Sequence, residues 1–253
     1  MSAANHQTRL YLTVPAPVLD QIVPLTQLLD RLTSRLDIAC VNLTLKEMGG
    51  PQSSADEQQQ LKTLITGLQQ KNIAVLADLT SPQYALDRKS FEKSLENAHV
   101  LGCDGLHINA DAALFARARD VLGTDSIIGV DCGTSRHAAM QMGETGADYV
   151  GFGPVDAVSL ADDQDLDLNK GSIETGDELF VPESIIELVD WWQQLFEVPC
   201  VALDVADRAQ IGELVQIGAD FVAIGPNQWP ALTSNDELVT WLAKTCPVIE
   251  TGS

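Results

Sequence analysis

The sequence has 253 residues, of which 45% are hydrophobic, and it carries a formal net charge of −21. This length and composition suit one globular domain, and the absence of a run of about 18 apolar residues argues against a transmembrane helix. The acidic surface repels nucleic acid and anionic membranes, so neither is expected as a partner, and it disfavours phosphorylated ligands unless a local basic site overrides the field.

The chain alternates short apolar runs with amphipathic stretches. Short continuous apolar runs are typical of strands buried on both faces, and amphipathic stretches between them predict helices. The predicted strands are Arg9–Val14, Ile38–Leu43, Ile73–Leu79, Gly105–Ile108, Ile127–Asp131, Tyr149–Gly153, Cys200–Asp204 and Phe221–Gly225. The predicted helices are Val18–Leu32, Glu57–Gln70, Ser90–Leu101, Ala112–Leu122, Ser135–Thr145, Pro182–Phe196, Ala206–Ile217 and Asn235–Lys244.

A similar phrase recurs at three of the predicted helix-to-strand junctions, in Leu101–Ile108, Thr145–Pro154 and Ile217–Pro226. Each copy has a glycine suited to a left-handed helix cap, a short polar turn and then an apolar run. Regular strand–helix alternation implies parallel pairing with right-handed crossovers, and eight units favour a closed barrel over an open sheet. We therefore predict that residues 1–253 form a single α/β domain, a (β/α)8 TIM barrel.

One segment departs from the rest in composition. Residues 156–178 contain eight acidic residues and one basic residue, Lys170. Because this segment follows the sixth predicted strand, we expect a long acidic loop on the face where barrel enzymes have their active sites.

The cysteines and the start of the chain bear on location. The five cysteines are scattered without a CxxC pair, and most lie in apolar runs, so we interpret them as reduced core residues. The polar residues 1–7 lack the apolar core of a signal peptide. These features predict a cytoplasmic protein. The cysteines are Cys40, Cys103, Cys132, Cys200 and Cys246.

Active sites of such barrels lie at the carboxyl ends of the strands. The candidate residues are therefore those that end or follow the predicted strands. They are Asn42, Thr44, Lys46, Asp78, His107, Asn109, Asp111, Asp131, Thr134, Gly153, Pro154, Asp204, Gly225 and Asn227.

Several strand sequences resemble the thiamine-phosphate synthase family. The resemblance rests on Ile127–Val130 followed by Glu144–Pro154, on Gly105–Ile108 and on Gly218–Ala223, and its most specific piece is the sequence GADYVGFGP. It extends from about Arg9 to Trp229. It implies a TIM-barrel transferase of thiamine biosynthesis that joins a pyrimidine pyrophosphate to a thiazole phosphate, releases pyrophosphate and requires Mg²⁺.

The resemblance implies pyrophosphate contacts after the second and fifth strands. The family's Gln-x-Arg-x-Lys pattern is matched by Asn42, Thr44 and Lys46, so the lysine is kept, the amide is shortened and the arginine is lost. A solvated lysine at a strand end is the alternative reading of Lys46, of equal weight. In the fifth strand's Gly-Val-Ser, the serine is replaced by Asp131, and Thr134 follows. Asp131 either opposes a pyrophosphate or recruits a metal.

The resemblance also implies Mg²⁺ ligands after the third and fourth strands. Asp78 matches the first ligand, whereas the second aligns with Ala112, one residue after Asp111. We therefore assign Asp78 and Asp111 as candidate metal ligands. Each has an ordinary alternative, since aspartate often stabilises a turn or caps a helix. His107 is expected to be a packed barrel residue, and Gly133, where a related tautomerase carries histidine, argues against that activity.

The thiazole phosphate is expected near the sixth, seventh and eighth strands, at Gly153, Asp204 and Gly225. Where the family has Gly-Gly after the seventh strand, this sequence has Asp204-Val205. A carboxylate repels phosphate, and valine prevents the close backbone approach that glycine permits.

Two hypotheses follow from these departures. The first is a transferase of the thiamine-phosphate synthase type that acts on small molecules. The second is a catalytically degenerate barrel of the same descent, which binds another small ligand or a protein partner. A homo-oligomer contact through Trp191 and Trp192 is one reading of that pair, and the other is one core residue beside a partly exposed one.

Overall fold

A computed structural model describes residues 7–14, 22–45, 55–153, 184–205 and 208–225, together with residues 237, 240–242, 244 and 246. Within these ranges, eight parallel strands form a closed barrel in chain order, and the last strand pairs with the first. The predicted (β/α)8 barrel is confirmed. None of the helices in the described ranges is long and apolar enough to cross a membrane.

The strands agree closely with the predicted ones. They are β1 (Arg9–Val14), β2 (Ile38–Thr44), β3 (Ala74–Leu79), β4 (Gly105–Asn109), β5 (Ile127–Asp131), β6 (Tyr149–Phe152), β7 (Cys200–Ala202) and β8 (Phe221–Ile224). The largest difference is at β7, which ends two residues before the predicted Asp204. Asp204 has φ 51°, in the left-handed region that ends a regular strand.

The helices lie between successive strands. They are α1 (Ile22–Thr33), α2 (Ala55–Gln69), α3 (Gln83–Leu86), α4 (Arg88–Leu101), α5 (Ala112–Leu122), α6 (Arg136–Thr145), α7 (Ile185–Leu195) and α8 (Arg208–Gln216). The short α3 was not predicted, since four residues are too few to show a helical period. In the predicted last helix, the described residues 237, 240–242 and 244 are helical.

The aspartate of the recurring phrase ties neighbouring strands together. The carboxylate of Asp104, just before β4, accepts the N–H of Val75 in β3 at 2.7 Å. In the same way Asp148, before β6, accepts the N–H of Ile128 in β5 at 2.7 Å. Asp220, before β8, accepts the N–H of Cys200 in β7 at 2.8 Å. The phrase therefore recurs because each copy fastens an even-numbered strand to the odd-numbered strand before it.

Alternate side chains of each strand face the helices or the barrel interior. Outward residues such as Leu12, Leu43 and Phe152 join the main apolar core against the helices. A second cluster lies in the amino-terminal half of the barrel interior. It contains Tyr11, Ala39, Cys40, Leu76, Tyr149, Val201 and Ala223.

A cavity of about 350 Å³ opens at the amino-terminal end of the barrel, among residues that include Arg9, Tyr11, Cys40, Tyr149 and Phe221. It lies at the opposite end from the strand ends where the candidate site residues occur. Barrel enzymes have their active sites at the carboxyl end, so this cavity is not the expected catalytic site.

The cysteine and tryptophan predictions can be compared with the structure. All five cysteines are free, and all except the half-buried Cys103 are buried, as expected of core thiols. Trp192 is fully buried and donates its Nε1–H to the carbonyl of Val198 at 2.6 Å. Trp191 is half-buried, and the guanidinium of Arg136 lies 4.4 Å from its ring centre. The reading of one core and one partly exposed tryptophan is thus confirmed.

Replacing Gly129 with alanine should destabilise the barrel. A Cβ at this position would lie 1.8 Å from Cζ of the Tyr149 ring, and overpacking of this kind costs about 1–3 kcal/mol. Urea unfolding monitored by circular dichroism measures the change. Gly67→Ala in α2 is the matched control, because its Cβ would meet nothing within 4 Å and alanine favours a helix. Equal stabilities of the two variants would contradict the packing argument.

Candidate active site

The carboxyl-terminal half of the barrel interior is polar. Strand pairing sets Thr13 opposite Asn42, Thr44 opposite Asp78, and Asn109 opposite Asp131. All of these residues are at inward-facing positions, which recur every second residue along each strand. Their side chains therefore surround one opening. The structure therefore brings together four predicted site residues, Asn42, Thr44, Asp78 and Asp131. Lys46, Pro154, Asn227 and the acidic segment 156–178 lie outside the described residues.

A hydrogen-bonded chain of rings forms the floor of this opening. The Tyr11 and Tyr149 hydroxyls are 3.0 Å apart, and the Tyr149 hydroxyl lies 2.9 Å from Nδ1 of His107. All three side chains are buried, and the His107 and Tyr149 rings stack with their centres 5.6 Å apart. The expectation that His107 is a packed barrel residue is confirmed. The two tyrosine hydroxyls were not predicted, although both lie at inward positions of strands whose period could have indicated them.

Burial governs the ionisation of the two tyrosines. Desolvation raises the pKa of Tyr11 and of Tyr149 well above the ordinary tyrosine value, and the negative charge of Asp78 raises both further. Asp131 also raises the pKa of Tyr149. Asp78 and Asp131 therefore act on the same hydroxyl, although they belong to strands separated by β4.

Asp78 organises the loop after β3. Its Oδ1 accepts the N–H and the hydroxyl of Thr80 at 3.0 and 2.7 Å. Asn109 Nδ2 donates to the Thr80 carbonyl at 2.8 Å and thereby links this loop to β4. The turn role that the sequence left open for Asp78 is therefore present, and its metal role stays a prediction.

Asp111 caps a helix. Its Oδ1 accepts the N–H groups of Ala113 and Leu114 at 2.7 and 2.9 Å, at the first turn of α5. This is the N-cap that the sequence offered as the alternative to metal binding. Among the described residues, no group of three or more His, Cys, Asp or Glu side chains is arranged to hold a metal ion.

The loop after β5 is bonded to the end of β6. Asp131 Oδ1 accepts the N–H of Gly133 at 2.9 Å, and the Gly133 carbonyl accepts the N–H of Gly153 at 3.2 Å. Thr134 follows and is half-buried. The N–H of Gly153, one of the predicted phosphate donors, is thus already donated within the protein.

Asp204 occupies the corner between β7 and β8. Its φ of 51° is one that glycine adopts easily and that aspartate tolerates better than most residues. A Cβ on Gly225 would lie 2.0 Å from Asp204 Oδ1, so the carboxylate is folded back over Gly225. The next N–H, of the buried Val205, is donated to the Ala223 carbonyl at 3.1 Å.

Asn42 is the most buried polar residue of the site, with 1% of its surface exposed. Within the described part of the chain, its Oδ1 has no hydrogen-bond partner. A buried amide oxygen without a donor is costly, so this atom is suited to accept a hydrogen bond from a ligand. This is consistent with the predicted substrate-binding role of Asn42.

Comparison with known proteins reveals the family. The sequence profile described as "Thiamine monophosphate synthase" matches residues 92–170. A thiamine-phosphate synthase of Erythrobacter litoralis is 35% identical over 167 residues, which cover 65% of this chain and 71% of that protein. One of Hyphomonas neptunium is 31% identical over 224 residues, covering 88% of this chain and 86% of the relative.

The chain belongs to the thiamine-phosphate synthase family. The solved structures include the thiamine phosphate pyrophosphorylase of Pyrococcus furiosus, which is 14% identical, has a TM-score of 0.57, and aligns over 95% of this chain and 98% of its own. At that identity the likeness supports the fold alone. The family resemblance that was inferred from the strand sequences is therefore confirmed.

The two buried tyrosines predict a loss of stability in alkali. Because their folded pKa values are raised, the neutral phenols stabilise the fold below pH 10, and this contribution is lost as the pH rises above the unfolded value of about 10. The free energy of unfolding should fall by up to about 1.4 kcal/mol per pH unit for each tyrosine. Urea titrations between pH 9 and 12 measure this slope.

Tyr149→Phe is the comparison variant for that titration. It should show a shallower alkaline slope, because one of the two raised pKa values is removed. At pH 8 it should be less stable by about 1–3 kcal/mol, since Tyr11 and His107 lose a buried hydrogen-bond partner. Identical slopes for the two proteins would show that Tyr149 does not contribute to the alkaline transition.

Proposed function

We propose that this protein is a thiamine-phosphate synthase-type transferase that joins a pyrimidine pyrophosphate to a thiazole phosphate and releases pyrophosphate. The observation that carries the proposal is the match to relatives named thiamine-phosphate synthase. The match to the Hyphomonas neptunium protein covers 88% of this chain. The polar opening at the carboxyl ends of the strands supports it, because this is where the fold has its catalytic sites.

In this reaction the thiazole nitrogen forms a bond to the pyrimidine methylene carbon, and pyrophosphate leaves with the electron pair of the broken C–O bond. The buried Asn42 amide is suited to hold the pyrimidine pyrophosphate at the floor of the opening, beside Thr44. Lys46, two residues beyond the end of β2, is suited to stabilise negative charge on the leaving pyrophosphate. The buried rings of Tyr11, His107 and Tyr149 close the floor against water.

Mg²⁺ is part of the proposal. The donors available at the opening are carboxylate oxygens, which Mg²⁺ prefers, and it usually takes only one or two of them beside substrate phosphates and water. Asp78 and Asp131 fit this requirement, whereas Asp111 Oδ1 already caps α5. When bound, the ion would neutralise charge on the pyrophosphate.

The cellular location and the partners of the enzyme are also part of the proposal. Free, mostly buried cysteines are consistent with a cytoplasmic enzyme. Small molecules are the expected partners, and neither nucleic acid nor a membrane is expected with a net charge of −21. An oligomeric assembly stays a prediction.

A second candidate function is favoured by one corner of the site. The Asp204 carboxylate over Gly225 and the donated N–H groups of Val205 and Gly153 are unfavourable to a bound phosphate. A divergent active site that binds another small ligand or a protein partner would explain them.

The deciding assay combines the purified protein with the pyrimidine pyrophosphate, the thiazole phosphate or its alcohol, and Mg²⁺. Turnover of about 1 s⁻¹ or faster supports the transferase. No product from either thiazole, while a related synthase is active under the same conditions, supports the second candidate.

Asp78→Asn should weaken the Mg²⁺ dependence of turnover, raising the concentration for half-maximal rate by about ten-fold or more, because a neutral amide is a poorer ligand. The measurement is an Mg²⁺ titration of initial rate. Asp111→Asn is the control, since asparagine also caps helices well and should leave the titration unchanged. An unchanged Mg²⁺ titration for Asp78→Asn would remove this residue from the metal site.

Lys46→Ala should lower kcat by about 100-fold or more, since a cation at the leaving group is lost from a site that is rich in carboxylates. Pyrophosphate release measured at saturating substrates tests this. Lys62→Ala in α2 removes the same charge away from the strand ends and should keep full activity. Equal rates for Lys46→Ala and the wild type would exclude a catalytic role.

A further inference from the structure

We infer that the cavity at the amino-terminal end of the barrel is a binding site for a small uncharged aromatic molecule. This cavity lies at the opposite end of the barrel from the candidate active site. The inference therefore goes beyond the proposed transferase function and does not depend on it.

The cavity owes its size to small side chains at this end of the barrel interior. Barrels of this type are usually filled by layers of bulky branched side chains. Here Ala39 in β2 and Ala74 in β3 line a space of about 350 Å³. Ligand sites in proteins begin at about 300 Å³, so this space is large enough for a molecule of one or two rings.

The walls of the cavity come from many parts of the chain. Its lining residues belong to β1, β2, β3, β5, β6, β7 and β8 and to the turns before three of them. The helix-to-strand segments that lead into β2 to β8 all lie within the described ranges. Closure of the barrel, rather than the path of a single loop, therefore sets the shape of the cavity.

The lining surface is mostly apolar, and three of the side chains that form it are aromatic. The Tyr11 and Tyr149 rings meet edge to face with their centres 6.1 Å apart, and the half-buried Phe221 begins β8. Aromatic rings attract another ring in edge-to-face or offset contacts, in addition to the gain from removing apolar surface from water. An aromatic molecule is therefore suited to these walls.

Two charged residues border the cavity, and both are bound within the protein. Arg9 Nε donates to Asp37 Oδ1 at 2.9 Å. The Asp148 carboxylate accepts from the Arg119 guanidinium and from the N–H of Ile128, both at 2.7 Å. Moving a charged ligand from water into apolar surroundings is costly unless an opposite charge meets it. The cavity therefore favours an uncharged molecule.

The three tyrosines of the chain allow a site-specific test. Tyr11 and Tyr149 line the cavity, whereas Tyr84 packs against Phe91 in the main core. Full-length protein labelled with 3-fluorotyrosine is titrated at pH 7 with 2-naphthol, an uncharged two-ring probe, and the ¹⁹F resonances are followed by NMR. We expect the Tyr11 and Tyr149 resonances to shift with a Kd of about 1 mM or tighter, and the Tyr84 resonance to stay in place. Variants with one tyrosine replaced by phenylalanine assign the resonances.

Matched variants distinguish the cavity from the opening at the other end of the barrel. Ala74→Leu puts a larger side chain into the cavity and should weaken 2-naphthol binding by about ten-fold or more. Ala39→Leu is the second filling variant, on the adjoining strand, and circular dichroism shows whether each variant folds. Thr44→Leu narrows the opening at the carboxyl end and should leave the Kd unchanged. The anionic analogue 2-naphthoate should bind the wild type at least about ten-fold more weakly.

Four results would overturn the proposal. They are no shift of Tyr11 and Tyr149 in the full-length wild type, an equal shift of all three resonances, binding that folded filling variants leave unchanged, and binding that Thr44→Leu weakens instead. Equal or tighter binding of 2-naphthoate would contradict the uncharged class of ligand. None of these measurements uses turnover, so the transferase function is tested separately by its own assay.

Discussion

The closed ring of parallel strands depends on its amino-terminal edge, where backbone groups would otherwise be left without partners. Asp104, Asp148 and Asp220 supply the bonds there, each accepting an N–H from the preceding odd-numbered strand at 2.7–2.8 Å. A carboxylate that accepts a partly buried N–H stabilises the junction, and its loss would leave an unsatisfied donor. These three aspartates link β3 to β4, β5 to β6 and β7 to β8, and so help to set the register of each pair. The register in turn sets which residues face inward at the carboxyl end.

Closure divides the barrel interior into two chemically different halves. Towards the amino end, Tyr11 and Tyr149 fill the space left by glycines such as Gly129, and their hydroxyls are bonded to each other and to His107. Towards the carboxyl end, inward positions carry short polar side chains. The buried rings form a floor that lowers the dielectric constant around the polar groups above them and strengthens their electrostatic interactions.

Charge is the property of the described strand ends that weighs most against a bound phosphate. The chain has 36 acidic residues and 15 lysines and arginines, and the strand ends carry Asp78, Asp131 and Asp204. Two of these carboxylates also organise loops, Asp78 through Thr80 and Asp131 through Gly133. Under the proposed function, an Mg²⁺ ion held by the two acidic groups near Tyr149 would turn their charge into an advantage for a pyrophosphate substrate. The same reasoning does not extend to Asp204, which lies over Gly225 in the corner between β7 and β8.

The sequence by itself determined the fold, because strand–helix alternation and glycine-marked junctions are local patterns that reflect burial on both faces. It also determined which residues end the strands, and hence that Asn42, Thr44, Asp78 and Asp131 share an opening. Local patterns do not report which donors a carboxylate meets, so Asp111 remained both a metal candidate and a helix cap until the structure showed the cap. Only the tertiary structure joined Tyr11, Tyr149 and His107, and only it turned Asp204 over Gly225, because these contacts link residues far apart in the chain.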